Sequence, residues 1–201
     1  MHVLSKARPT ELRALRSFVS RCYGDEAFHE LLTRYEVLRY SKGTAVMLVK
    51  KSLAKRAPLA ILAKAVASGV IAGWLSRGGF VPSPWLFDEL KRIGYEYKCA
   101  VEIGEQGVKA FLYGNDVLVA SVLRIREPVR VGSYVAVVDG RDGSVIGVGV
   151  AVLDRDGVER AKNMGRLLDV AILNVFDIGR LIRDERSLLL FQPAKLKPSH
   201  R

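Results

Sequence analysis

Apolar positions recur along the chain with two spacings, and the change between them assigns most of its elements. After Pro9-Thr10-Glu11, residues Leu12, Leu15, Phe18 and Val19 fall at i, i+3, i+6 and i+7. That is one stripe of a helix, with Arg13, Arg16 and Arg21 outside it and Gly24 placed to end it. β-type runs on either side of Ser41-Lys42-Gly43 predict a hairpin over 35–49, and KKSLAKRA (50–57) predicts a short helix that stops before Pro58. The apolar run 58–75 carries Lys64 near its middle and many small residues. A membrane span wants about 20 apolar residues without charge, so this run is expected to be core, helix passing into strand. Strands near 70–75 and 78–82 lead into a helix over 85–93, where Trp85, Leu86, Leu90 and Ile93 share a face. Residues 95–103 alternate like a half-buried strand, and Gly104-Glu105-Gln106-Gly107 predicts a turn and a linker.

Beyond that turn the texture changes. Valine-rich runs joined by Asp-Gly turn chemistry predict a strand pair over 132–154. An apolar strand follows at 166–175, a single short helix at 177–185 and a closing strand at 186–191. The fold class expected is α+β. A small α/β domain occupies 1–105, a compact barrel-like β domain with short helices 106–191, and a polar, basic tail with two prolines 192–201.

Charge sharpens this picture. The chain holds 32 Lys+Arg against 21 Asp+Glu, a net +11, which argues for a polyanionic partner. No acidic residue occurs between Glu36 and Asp88, yet eight basic ones do. Like charges such as Lys51 and Lys55 at i, i+4 repel by a few tenths of a kcal/mol, so an anion here would relieve the strain. Lys50, Lys51, Lys55 and Arg56 form a possible second basic patch; the alternative is neutralisation by acids from elsewhere in the chain. The segment 155–169 offers Arg155, Arg160, Lys162 and Arg166, and Arg180 and Arg183 follow at i, i+3. Pairing with Asp156, Glu159, Asp184 and Glu185 competes with that reading, most strongly for Arg183.

Candidate chemistry is sparse. Cys22 and Cys99 stand apart with no CxxC and no histidine at ligand spacing, so neither a metal site nor a disulfide framework is indicated. Both thiols are expected to be small core groups in a reducing compartment. The three histidines are His2, His29 and His200, and no nucleophile has a base beside it. Asp88-Glu89 reads as the solvated face of a helix rather than a catalytic pair. Gly147 and Gly149 on one strand face suggest close approach of a backbone or a ligand, but they do not make a dinucleotide fingerprint. No cofactor is expected, and the N-terminus lacks the apolar region of a secretory signal. Only five amide side chains occur, which with abundant arginine and valine hints at a thermophilic source.

FLYGNDVL (111–118), LRIRE (123–127), SVIGVGVAV (144–152) and DIGRLIRDE (177–185) together resemble the Nip-seven family of large-ribosomal-subunit biogenesis factors. The resemblance covers about the C-terminal half, 108–190. It implies that FLYGN opens a C-terminal PUA pseudobarrel and that the preceding α/β domain is built on an antiparallel sheet. It also implies binding to pre-rRNA, single-stranded or structured, and a place in large-subunit assembly without catalysis. RNA contacts would come from basic residues on the segment before the penultimate strand, here Arg160, Lys162 and Arg166. Arg155, Arg180 and Arg183 would support them, and Gly114-Asn115 would form the turn that leads into the module. Partner proteins of the pre-ribosomal particle would dock on the first domain; no membrane and no DNA specificity are expected. Tyr113 and Phe176 are possible base-stacking residues, though core positions suit them better. Location is expected to be cytoplasmic, or nucleolar where the source has a nucleus. The alternative function is an RNA-modifying enzyme, or its accessory subunit, that uses the PUA module to hold substrate.

Overall fold

Leu15, Phe18 and Val19 are buried as their spacing requires, on a helix α1 (Pro9–Tyr23) whose arginines face out. Its start is fixed by Glu11, which accepts the Arg8 backbone N–H at 2.6 Å and pairs with Arg39 at 3.0 Å. Gly24, at φ +94°, ends it and turns directly into α2 (Asp25–Arg34). The sequence pattern had not revealed α2, which buries only Ala27, Phe28 and Leu31. The computed structural model describes residues 4–40, 44–56 and 69–183. The expected turn at 41–43, most of the run 58–75, the closing strand at 186–191 and the tail therefore lie outside the described residues.

The first sheet has five antiparallel strands in chain order: β1 (Leu4–Lys6), β2 (Tyr35–Tyr40), β3 (Ala45–Lys50), β4 (Val70–Ser76) and β5 (Gly79–Pro82). The short α3 (Lys51–Arg56) follows β3. Ser83 caps α4 (Pro84–Arg92) by accepting the Leu86 N–H at 3.2 Å. Leu86, Phe87 and Leu90 of α4 join Leu15, Phe18, Leu31 and Leu48 in one core. One expectation fails on α4. Glu89 is not solvated but 1% exposed, accepting the Tyr35 hydroxyl and pairing with Arg92 at 2.8 Å. Asp88 accepts the Tyr97 hydroxyl at 3.0 Å. Periodicity placed both acids on the outer side of the helix, but β2 and the chain after α4 cover that side as well.

The second sheet holds six strands in the order β7-β11-β10-β9-β6-β8. In chain order they are β6 (Ala100–Ile103), β7 (Val117–Leu118), β8 (Val122–Arg126), β9 (Tyr134–Asp139), β10 (Val145–Ala151) and β11 (Val170–Asp177). Helices α5 (Glu105–Leu112), α6 (Arg155–Asn163) and α7 (Gly179–Arg183) and a 3₁₀ turn (Val119–Ser121) complete it. β6 and β9 run parallel, every other pair is antiparallel, and bulges in β10 help curl the sheet into a half-barrel. The expected mixed α+β architecture, with an antiparallel sheet followed by a curled one, is what forms. The expected division at 105/106 falls within continuous structure: β6 is hydrogen-bonded into the second sheet, and Gly104–Gly107 starts α5 instead of forming a linker.

The central strands of the second sheet are buried on both faces. On β9, Val135 and Val137 fill the barrel interior beside Phe111 and Ile172, while Ala136 and Val138 join the core of the first domain. Trp74 and Trp85 each approach Phe176 to 5.8 Å between ring centroids, which adds a second seam. A third link corrects the sequence reading. Cys22 and Cys99 are not separate thiols but a disulfide, Cα atoms 5.6 Å apart, tying the end of α1 to the start of β6. At a sequence separation of 77, only the docking of the two sheets brings them together. The glycines of β10 also find their reason here. A side chain at Gly147 would collide with Phe111 and the Phe176 carbonyl, and one at Gly149 with Ile172. The close approach is made by β11 and by Phe111 of α5. Among the described residues no helix is long and apolar enough to cross a membrane.

Closing a loop of that length is worth about 4 kcal/mol in the chain-entropy description. Denaturant titration of Cys22→Ser is expected to show a loss of this order, and thiol counting on the unfolded, unreduced chain is expected to find no free cysteine.

Candidate nucleic-acid interface

The segment 155–166, which the sequence presented as a basic stretch without defined structure, forms helix α6 and its C-terminal turn. Asp154 caps it by accepting the Gly157 N–H at 2.8 Å. Gly157, Val158 and Ala161 face inward, which leaves Arg155, Arg160 and Lys162 on the outside. Gly165, at φ +70°, ends the helix: its N–H reaches the Lys162 carbonyl and that of Arg166 reaches Ala161. The next residues do not begin the strand expected at 166. They form a turn held by Ala120 N–H on the Leu167 carbonyl (3.0 Å) and Val119 N–H on the Asp169 carbonyl (2.9 Å). Met164 and Leu168 are thereby left 69% and 81% exposed, with Leu167 beside them also exposed.

The cations of this segment differ in what they already hold. β8 is an edge strand, and its outward carbonyls need donors. Arg155 supplies one to Ile125 at 2.8 Å and pairs with Glu127 at 3.2 Å. Lys162 supplies another, Nζ to the Val122 carbonyl at 2.6 Å. Both side chains thus staple α6 along the edge. Arg166 pairs with Asp169 at 2.6 Å but stays mostly in solvent. Arg160 is exposed and has no ion-pair partner among the described residues. Among the described residues Asp156 and Glu159 pair with none of these groups, and Asp184 and Glu185 lie outside the described residues; the observed partners are Glu127 and Asp169. The resulting surface joins Arg160, without an ion-pair partner among the described residues, three partly engaged cations and an exposed apolar ridge.

Gly114, Asn115, Arg180 and Arg183 lie elsewhere, farther along β11: Asn174, which holds the Gly114–Asn115 turn, is about 13 Å along the strand from Val170, and Asp177, which holds Arg180 and Arg183, about 23 Å. There they build a knot of hydrogen bonds. Gly114, at φ +95°, ends α5, with its N–H on the Phe111 carbonyl and that of Asn115 on Ala110. Asn174 of β11 binds this turn three ways: its N–H to Asp116 at 2.7 Å, and its amide to the carbonyls of Phe111 (3.0 Å) and Asn115 (3.2 Å). Arg183 donates to the Leu112 carbonyl and pairs with the buried Asp177 at 3.0 Å; Asp177 also accepts the Arg180 N–H at 2.9 Å. The Gly114–Asn115 turn, exposed at its tip, therefore lies inside the second domain rather than at its entrance and is tied to β11 through Asn174. Of the two aromatic candidates, Phe176 is core, whereas Tyr113 is 78% exposed beside the knot. Among the described residues no three His, Cys, Asp or Glu side chains converge in a metal-holding group.

Lys50, Lys51, Lys55 and Arg56 are all exposed on the first domain, and none has an ion-pair partner among the described residues. They sit at the C-terminal end of β3 and on α3, away from the second sheet.

Residues 99–186 match the UPF0113 PUA domain family. No curated protein matches the chain. Several solved structures share its fold. A hypothetical protein of Pyrococcus horikoshii OT3 superimposes with a TM-score of 0.61 at 14% identity, over 92% of this chain and 97% of its own. A PUA domain from Aeropyrum pernix K1, solved as a tartrate complex, gives 0.60 at 16% identity, covering 89% and 88%. A conserved PUA domain protein from Thermoplasma acidophilum gives 0.55 at 17%, covering 90% and 97%. The half-barrel is thus a PUA domain, a module that generally binds RNA.

The two groups of predicted residues are expected to separate on mutation. Asn174→Ala removes the amide's two hydrogen bonds, to the Phe111 and Asn115 carbonyls, and should cost on the order of 1–2 kcal/mol in denaturant titration. Arg160→Ala, exposed and unpaired, should stay within about 0.5 kcal/mol of the parent chain.

Proposed function

We propose that this protein is a non-catalytic RNA-binding factor of large-subunit assembly, gripping pre-rRNA through α6 and the turn after it. The observation that carries this reading is Arg160, unpaired on a helix whose turn also exposes Met164, Leu167 and Leu168. Arg160, Arg166 and the spare hydrogens of Lys162 suit phosphate oxygens. The apolar ridge between them suits the faces of unpaired bases, which in RNA are the part a protein can read. The net charge of +11 supplies the long-range attraction that a phosphate chain requires.

Assembly of the large subunit, as distinct from RNA binding in general, is supported by the order of four motifs: FLYGNDVL, LRIRE, SVIGVGVAV and DIGRLIRDE. In this proposal partner proteins of the pre-ribosomal particle contact the first domain, no step of bond-making is assigned to the chain, and the site of action is the cytoplasm. The disulfide fits that location in a hyperthermophilic cell, where intracellular disulfides are common, and the five amide side chains point the same way.

Binding of single-stranded RNA should weaken steeply with salt. The Arg160→Ala/Lys162→Ala/Arg166→Ala variant should flatten the slope of log affinity against log salt by about 2, at roughly 0.7 per lost phosphate contact. A slope that the triple variant leaves unchanged, in a chain that still melts normally, rules this surface out.

A further inference from the structure

From the geometry of the first domain we infer a second anion site: the cleft where α2, β3 and α4 end binds phosphate groups of RNA. The cleft, about 430 Å³, is lined by Arg34, Tyr35, Lys50, Lys51, Ser52 and Arg92 among others. That volume suits a ligand of nucleotide size, near the lower part of the usual range for small-ligand sites. Three chain junctions meet there. Tyr35 opens β2 directly opposite Lys50 in the register, Lys51 and Ser52 begin α3, and Arg92 closes α4.

The charge around the cleft is unbalanced. Two carboxylates stand near its four cations, and both are already engaged. Glu30 accepts Arg34 Nε at 2.7 Å, which leaves the terminal nitrogens of that guanidinium free to donate. Glu89 is buried, one oxygen taken by the Tyr35 hydroxyl and the other by Arg92 Nη1. Burial, then the hydrogen bond to Glu89, pushes the Tyr35 phenol up to about 12, so it brings no charge to the cleft at neutral pH. The carbonyl ends of α2 and α4 add partial negative charge, which Arg34 and Arg92 offset. Among the described residues Lys50 and Lys51 have no ion-pair partner, and Lys55 and Arg56 on α3 add two more cations. Acids cannot arrive from the neighbouring sequence either, because none exists between Glu36 and Asp88. A surface that holds this many cations together is relieved by a polyanion.

The two domains share a core and a disulfide, so this cleft and the α6 surface stand at a fixed separation, and one RNA strand long enough to reach both would be held twice. The cleft is a different surface from the one assigned above, and the variants that test each are separate.

The experiment uses the full chain, with labelled single-stranded RNA carrying either a 5′-phosphate or a 5′-hydroxyl, in salt titrations and photo-crosslinking. Lys50→Gln/Lys51→Gln alters exposed, unpaired residues, and an unchanged melting temperature confirms folding. The expected result is a salt slope flattened by about 1.4, together with loss of crosslinks to the peptide containing residues 50–52. Flattening with both RNAs identifies backbone phosphates, and flattening with the 5′-phosphorylated strand alone identifies a terminal phosphate; either supports the site. An unchanged slope with no crosslinks near residues 33–35 and 50–52 overturns it. So does a variant that binds RNA normally but no longer captures polyglutamate, which would make the cleft a protein-docking surface. If Lys50→Gln/Lys51→Gln flattens the slope and the α6 triple variant does not, the cleft stands and the α6 assignment falls.

Discussion

Alternation along β9 is the constraint on which the rest of the molecule depends. Val135 and Val137 point into the half-barrel, while Ala136 and Val138 point into the core of the first domain. A strand buried on both faces cannot be exposed on either without losing apolar burial worth about 25 cal/mol per Å². The two sheets are therefore one cooperative body. Trp74 and Trp85 against Phe176, and the bond between Cys22 and Cys99, reinforce the same contact from either side.

That rigidity decides what the basic residues are free to do. The half-barrel leaves β8 as an open edge, and α6 covers it by spending Arg155 and Lys162 on the carbonyls of Ile125 and Val122. Two of the cations that looked most available for RNA are thus partly committed to the fold. Arg160, one helical turn beyond Asp156 and pointing away from the sheet, escapes that duty and stays available. Toward the far end of β11, Arg183 and Asp177 join Asn174 in the structural task, locking α7 against the chain before Gly114. On this face, Arg155 and Lys162 are tied to the chain because edge carbonyls of β8 lie within their reach, and Arg160 is left to solvent.

The two glycine-ended helices show how local signals gain meaning from their surroundings. Gly114 and Gly165 adopt the same positive-φ cap and make the same pair of backbone hydrogen bonds. After Gly114 the chain is captured by the Asn174 amide; after Gly165 Leu167 and Leu168 are left in solvent. Equal caps lead to opposite outcomes because β11 offers a polar side chain at one end and only its own first residues at the other.

Short-range periodicity was enough to place α1, the β2–β3 pair, α4 and the β9–β10 pair, since each presents an apolar stripe or alternation that only one secondary structure can bury. It was not enough for α2, α5 and α6, whose inward faces consist of few residues, glycine and alanine among them. The α+β class and the basic character of residues 155–166 were likewise legible in the residue order. Tertiary structure alone joined Cys22 to Cys99, buried Glu89, divided the cations into staples and free groups, and exposed Leu168. Each of these depends on which distant segment lies opposite, and a linear pattern of apolar and polar positions carries no information about what stands across the fold.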